Sequence, residues 1–101
     1  MNKNKVTKII KLSATWCQPC KNYKITFDKV KEMEEFKNIE FQEIDIENDE
    51  TSDEIVEKFQ IKSVPTTLLL DKNDEIIYKI MGNVPQIDLI NTINRALNNE
   101  E

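Results

Sequence analysis

The stretch Ala14-Thr15-Trp16-Cys17-Gln18-Pro19-Cys20-Lys21 holds the only two cysteines of the chain and its only tryptophan. Two thiols at this spacing serve three kinds of chemistry: metal binding, a structural cross-link, or reversible oxidation. A structural zinc site needs four ligands drawn from cysteine and histidine. The chain has no histidine, so the pair supplies half a site, and a metal would have to be shared between two subunits. A structural disulfide would close a very short loop, which stabilises little, and a reducing cytosol would open it. Reversible oxidation fits the context better, because the pair stands just after a strand pattern and opens a helix pattern within a βαβ order. At a helix N-terminus the unsatisfied N–H groups and the positive dipole end stabilise a thiolate, which makes Cys17 the nucleophile. Cys20 falls one turn along, with its Cα about 5 Å away, inside the range a disulfide accepts. It is placed to attack a mixed disulfide at Cys17 and release the substrate thiol. Cys17, outermost on the helix, is expected to be the more accessible and more acidic thiol. Pro19 stiffens the turn between them.

The elements that must hold this pair follow from periodicity. Residues 5–14, with Val6, Ile9, Ile10 and Leu12, predict a first strand that ends at the small residues Ser13 and Ala14. From Gln18 to about Lys37, Tyr23, Phe27, Val30 and Met33 share one face of an amphipathic helix. Pro19 sits in its first turn, where a missing N–H costs nothing. Residues 39–46 predict a second strand; Ile55, Val56 and Phe59 mark a short second helix after the cap-rich segment Asn48 to Ser52. Ile61 to Pro65 is a loop. Thr66–Leu70 and Glu75–Met81 predict a hairpin around the turn Asp71 to Asp74. Gly82 ends that hairpin, and Pro85 opens a last helix carrying Leu89, Ile90, Ile93 and Leu97 on one face. The order is β-α-β-α-β-β-α, an α/β fold with parallel pairing and right-handed crossovers in its first part and an antiparallel strand added by the hairpin.

A chain of 101 residues is read as one domain over its full length, 1–101. With 39% hydrophobic and 33% charged residues its composition is that of a globular protein, and its longest aliphatic run, Leu68 to Leu70, is far short of a membrane span. The basic start, Met1 to Val6, leads into Ile9-Ile10-Lys11-Leu12, where a charge interrupts what a secretory leader keeps apolar. A cytoplasmic protein is expected. The net charge of −5 argues against nucleic acid as a partner. Absence of histidine also removes the usual general base, which disfavours serine-type and zinc-hydrolase chemistry.

Trp16-Cys17-Gln18-Pro19-Cys20-Lys21 resembles the active-site motif of the thioredoxin family, and Ser63-Val64-Pro65-Thr66 resembles that family's cis-proline loop. Gly82 falls where the family keeps a glycine before its last helix, and the resemblance covers nearly the whole chain. It implies a thioredoxin-like fold with a four-stranded mixed sheet and three flanking helices. It further implies a thiol–disulfide oxidoreductase that reduces protein disulfides in electron transport and cell redox homeostasis. In that family Cys17 would attack, Cys20 would resolve, and a flavin-dependent thioredoxin reductase would regenerate the dithiol; no bound cofactor is implied, and a monomer is expected. Trp16 would form an exposed lip beside the sulfurs. Gln18, Pro19, Val64, Pro65 and Gly82 would join it in contacting an extended substrate segment.

Several positions depart from the family pattern. The segment before Val6 is short and suggests glutaredoxin size; Gln18 replaces a glycine, Ser13 stands where a second tryptophan is usual, and Ile25 replaces a proline. The family's buried aspartate and its facing lysine correspond to Lys11 and Glu43, with the signs exchanged. Glu43 follows Ile39 and Phe41 at period two, and Lys11 follows Ile9, so each falls on an otherwise apolar face. A buried, paired Lys11–Glu43 is therefore expected, with Glu43 near Cys20 handling the proton of the resolving step, Lys11 keeping it ionised, and the loss of either partner costly. Two strand-edge charges that reach solvent are the competing reading. Two other functions remain: a glutaredoxin-like, glutathione-dependent enzyme, suggested by the short start and opposed by Trp16 and Pro19, and a non-catalytic binding module that merely tolerates the cysteines.

Overall fold

The computed structural model describes residues 5–98, so the part of the leader argument that rests on Met1 to Asn4 lies outside the described residues. Among the described residues four strands are present: β1 (Lys8–Ser13), β2 (Glu40–Asp45), β3 (Thr66–Leu70) and β4 (Ile76–Met81). The helices are α1 (Gln18–Lys31), α2 (Ser52–Lys58) and α3 (Gln86–Leu97), with a short 3-10 turn at Glu34–Phe36. The expected β-α-β-α-β-β-α order is therefore found, in one sheet ordered β2-β1-β3-β4. β1 runs parallel to β2 and antiparallel to β3, and β4 returns antiparallel to β3.

β1 and β3 occupy the middle of the sheet and are covered on both faces, which is why their apolar residues run consecutively instead of alternating with polar ones. On one face Ile9 and Leu69 pack against Tyr23, Phe27 and Val30 of α1 and Leu89 and Ile93 of α3. On the other, Ile10, Leu12, Leu68 and Leu70 pack against Ile55, Val56 and Phe59. The last of these caps α2, and its carbonyl and that of Gln60 accept hydrogen bonds from Lys79 Nζ at 3.0 and 3.2 Å.

Helix α1 stops at Lys31, six residues before the end that the spacing of Tyr23, Phe27, Val30 and Met33 predicts. Glu32, Glu34 and Glu35 would place negative charge at the negative end of the dipole. Met33 instead turns extended (ψ 136°), and the following 3-10 turn brings Phe36 into the core. Pro85 is the N-cap residue of α3 and not its first helical residue. The hairpin turn closes as expected, with Asp71 Oδ1 accepting from the backbone N–H groups of Asn73 and Glu75.

Two contacts tie these elements to the end of the sheet where α1 begins. Tyr23 is fully buried, and its hydroxyl lies 2.7 Å from Thr67 Oγ1, fixing α1 to the central strand β3. The Gly82 N–H donates to the Pro65 carbonyl at 2.8 Å, fixing the end of β4 to the loop before β3; the Val64–Pro65 peptide is cis. Gly82 has φ +90°, and a Cβ there would meet nothing within 4 Å, so backbone conformation and not crowding selects glycine.

Tyr23→Phe removes one buried hydrogen bond and strands the Thr67 hydroxyl, and is expected to cost about 1–2 kcal/mol of stability in urea denaturation. Adding Thr67→Val should recover part of that loss, because no orphaned hydroxyl then remains.

Candidate active site

β1 ends at Ser13, and the chain turns sharply: the Cys17 N–H donates to the Ala14 carbonyl at 3.1 Å, so α1 starts immediately beyond the end of this interior strand. Thr15 Oγ1 donates to Glu47 Oε1 at 2.7 Å and pins this turn to the segment after β2. Cys17 is the N-cap residue, with extended φ and ψ of −91° and 107°. Its sulfur takes the role that serine or aspartate oxygens usually take, accepting a hydrogen bond from the Cys20 N–H at 3.1 Å. Cys17 and Cys20 are joined as a disulfide with Cα atoms 5.2 Å apart.

The cysteines are almost equally buried, at 4% and 3% exposure, so exposure does not rank them as the sequence suggests. Bonding separates them. Only Cys17 Sγ receives the Cys20 N–H, and a sulfur at that place holds negative charge better. Cys17 Sγ also lies 3.6 Å from the Val64 carbonyl oxygen, which brings the 61–65 loop against the pair. Ala14, Ile46 and Val64 complete an apolar collar around both cysteines.

Trp16 projects beside them and is 65% exposed. Gln18 and Pro19 are exposed in the first turn, whereas Pro65 is buried behind Val64. A groove of about 270 Å³ runs between Trp16, Val64, Ile61 and Val56. A second cleft of about 420 Å³ is lined by Cys20, Ser13, Lys11 and Glu43, among others.

Lys11 and Glu43 stand opposite each other in the β1–β2 register, and Lys11 Nζ is 3.0 Å from Glu43 Oε1. The pairing is therefore present, but the shared burial is not: Lys11 is 1% exposed, while the Glu43 side chain is 32% exposed. The cause is topological. β1 is internal to the sheet and β2 is an edge strand, so one apolar-looking face is covered and the other reaches the rim. Lys11 Nζ also sits 5.0 Å from the centre of the Phe27 ring, a favourable approach for a cation in an apolar setting.

Two lysines that the sequence does not mark out as site residues join this pair. Lys24 and Lys31, on α1, lie 3.5 and 3.7 Å from the Glu43 carboxylate, and Lys24 also bonds Asp28 at 3.2 Å. Their exposed positions look like an ordinary solvated helix face; only the register of α1 over β2 reveals the convergence. Partial burial pushes the Glu43 pKa upward, but the Lys11 hydrogen bond and the charges of Lys11, Lys24 and Lys31 outweigh it, and the net shift is downward.

A cysteine pair bonded across a helix N-terminus, at the end of a four-stranded mixed sheet and against a proline loop, defines a thiol–disulfide oxidoreductase. The chain belongs to the thioredoxin family, whose model matches residues 1–95. Thioredoxin Asp f 29 of Aspergillus fumigatus is 34% identical over 80 residues, covering 79% of this chain and 70% of that protein. The crystal structure of Malassezia sympodialis thioredoxin, Mala s 13, aligns with a TM-score of 0.77 at 26% identity, covering 92% of this chain and 76% of the other. Thioredoxin-2, a component of the malaria parasite protein secretion machinery, aligns at 0.76 and 30% identity, covering 92% and 84%. Thioredoxins are protein-disulfide reductases, and this chain carries their cysteine pair.

The unequal burial of Lys11 and Glu43 makes their replacements unequal. Glu43→Leu leaves a fully buried ammonium without its carboxylate and is expected to cost roughly 3–5 kcal/mol in urea denaturation. Lys11→Met leaves a carboxylate that still meets solvent, Lys24 and Lys31, and is expected to cost about 1 kcal/mol or less. The double variant should fall well short of the sum of the two. Because the folded-state pKa of Glu43 is depressed, its contribution is fully present above the unfolded value of about 4.3 and is lost as pH falls through the lower folded value. The stability difference between wild type and Glu43→Gln should therefore shrink on acidification below about pH 4.

Proposed function

We propose that the chain works as a single domain that reduces disulfides in other proteins, with Cys17 as attacking thiolate and Cys20 as resolving thiol. The observation that carries this reading is the Cys20 N–H directed at Cys17 Sγ from the first turn of α1. That bond favours the thiolate on Cys17 and places Cys20 where it can displace the bound substrate. Trp16, Gln18, Pro19, Val64 and Gly82 form the surface offered to an extended substrate strand, the Val64 backbone supplying its hydrogen-bonding groups and the buried Pro65 holding that loop in place.

After one turnover the Cys17–Cys20 disulfide is reduced back to the dithiol by an external reductant, and a flavin-dependent thioredoxin reductase is the partner the family relationship supports. Among the described residues no helix is long and apolar enough to cross a membrane. We assign the protein to the cytoplasm, as a monomer serving general thiol balance and electron transport. Lys11 and Glu43 act on the resolving step: Glu43 lines the same cleft as Cys20 and receives its proton, while Lys11 holds the carboxylate ionised.

Cys20→Ser should accumulate mixed disulfides with a protein substrate, visible on non-reducing gels, whereas Cys17→Ser should trap none. Equal trapping by both variants would exclude the assigned roles. Glu43→Gln should slow release from the mixed disulfide by about tenfold or more while changing the first attack little, as read by stopped-flow kinetics. Reduction of the oxidised protein by thioredoxin reductase with NADPH, compared with reduction by glutathione, identifies the electron donor.

A further inference from the structure

Tyr23 is among the largest side chains wholly enclosed in the protein, and its hydroxyl meets one polar partner, Thr67 Oγ1 at 2.7 Å. Both residues sit in apolar surroundings: Tyr23 packs in the cluster of Ile9, Phe27, Val30 and Leu69, and Thr67 is followed directly by Leu68, Leu69 and Leu70. Burying two hydroxyls to form one bond adds little stability, because a phenylalanine and a valine of the same shape would fill these places with nothing left to satisfy. What such a pair would not supply is direction. A bond between hydroxyls holds only over a narrow range of distance and angle, whereas apolar contact is non-directional and lets surfaces slide. Among the described residues no other hydrogen bond joins α1 to β3.

We propose that Tyr23 and Thr67 are positioning residues for the exchange reaction, their bond setting where the Val64 backbone stands relative to Cys17. Each end of the bond lies a short, stiff stretch of chain from one side of the site. Tyr23 follows Cys20 by about one turn of α1. Thr67 follows Val64 through Pro65 and Thr66, and this stretch is braced twice. The Thr66 hydroxyl donates to the Ser63 carbonyl at 2.7 Å, and the Pro65 carbonyl accepts from the Gly82 N–H at 2.8 Å.

A closed circuit results. It runs from Cys17, the N-cap residue, along α1 to Tyr23, across the hydroxyl bond to Thr67, back along the braced loop to Val64, and over 3.6 Å from the Val64 oxygen to Cys17 Sγ. Cutting the bond leaves helix and loop joined by apolar packing, so the sulfur and the Val64 backbone are free to drift relative to each other. A polypeptide substrate responds to that drift, because its strand must pair with Val64 while its disulfide lies in reach of Cys17. A small disulfide meets the sulfur alone and is indifferent to where Val64 stands.

Tyr23 and Thr67 act in this way only if Val64 receives the substrate strand as proposed above, and two substrates separate the claims. Reduced protein is mixed in single turnover with insulin, whose disulfides lie in a polypeptide, or with bis(2-hydroxyethyl) disulfide. The rates are compared at a temperature where circular dichroism shows every variant folded. In Tyr23→Phe and in Thr67→Val the ratio of the insulin rate to the small-disulfide rate should fall about threefold to tenfold. The double variant should show the same fall as either single one, although it regains part of the stability. Thr67→Ser, which keeps the hydroxyl, should hold the wild-type ratio. A ratio unchanged by loss of the bond, or one that recovers with stability in the double variant, overturns the proposal. Wild-type protein that reduces neither substrate strikes the reductase reading and the positioning role with it, whereas wild-type protein that reduces both, beside variants of unaltered ratio, strikes only the positioning role.

Discussion

Helix α1 begins with backbone N–H groups that have no partner within the helix, and here the acceptor that meets one of them, the Cys20 N–H, is a reactive sulfur. Much of the molecule can be understood as holding that one junction in place. β1 delivers the chain to the end of the sheet, Ala14 and Thr15 fold it back, and Tyr23, Phe27 and Val30 anchor the helix below. Were α1 free to fray, the Cys20 N–H would turn to water and the distinction between the two sulfurs would be lost. The Tyr23–Thr67 bond, one turn beyond Cys20, prevents this by binding the helix to an interior strand.

A second constraint sits beneath the first. Lys11 is a charged residue in the middle of a sheet, and a buried charge is tolerated only with compensation. Its compensation comes from the neighbouring edge strand and from the ring of Phe27, itself packed edge-on against Phe41 at 5.6 Å. Because Glu43 stands at the rim, it also collects Lys24 and Lys31 from α1. The result is a polar seam between helix and sheet that opens into the cleft shared with Cys20. Thioredoxin-family chemistry is thus combined here with an interior cation where the resemblance leads one to expect an interior acid.

Much of this was legible in the residues. The cysteine spacing, Pro19 and the strand pattern before it locate the helix start, because capping and periodicity are local properties. The end of α1 was not legible, since Met33 continues the helical spacing while the acidic run and the docking of Phe36 decide otherwise. The Lys11–Glu43 pairing could be inferred from period two, yet its lopsided burial could not: nothing within residues 39–46 says that β2 lies at the sheet's edge. Lys24 and Lys31 were invisible for the same reason, as their convergence depends on how α1 lies across a strand distant in sequence. The 420 Å³ cleft forms where residues of β1 and β2 meet Cys20, Lys21 and Lys24 of α1, a juxtaposition that composition alone does not disclose.

The sheet order β2-β1-β3-β4 also has a meaning for synthesis on the ribosome. β1 is made well before one of its two neighbours, β3, which is encoded more than half a chain later, in the register Lys11 to Thr67. A growing polypeptide can form β1, α1 and β2 while Val64, Pro65 and the rest of the hairpin are still unmade. During that interval the two thiols stand at their helix start without the loop that later closes against Cys17. The newborn molecule carries its reactive chemistry before it carries the wall that gives that chemistry a direction, and that wall arrives only with the last third of the chain.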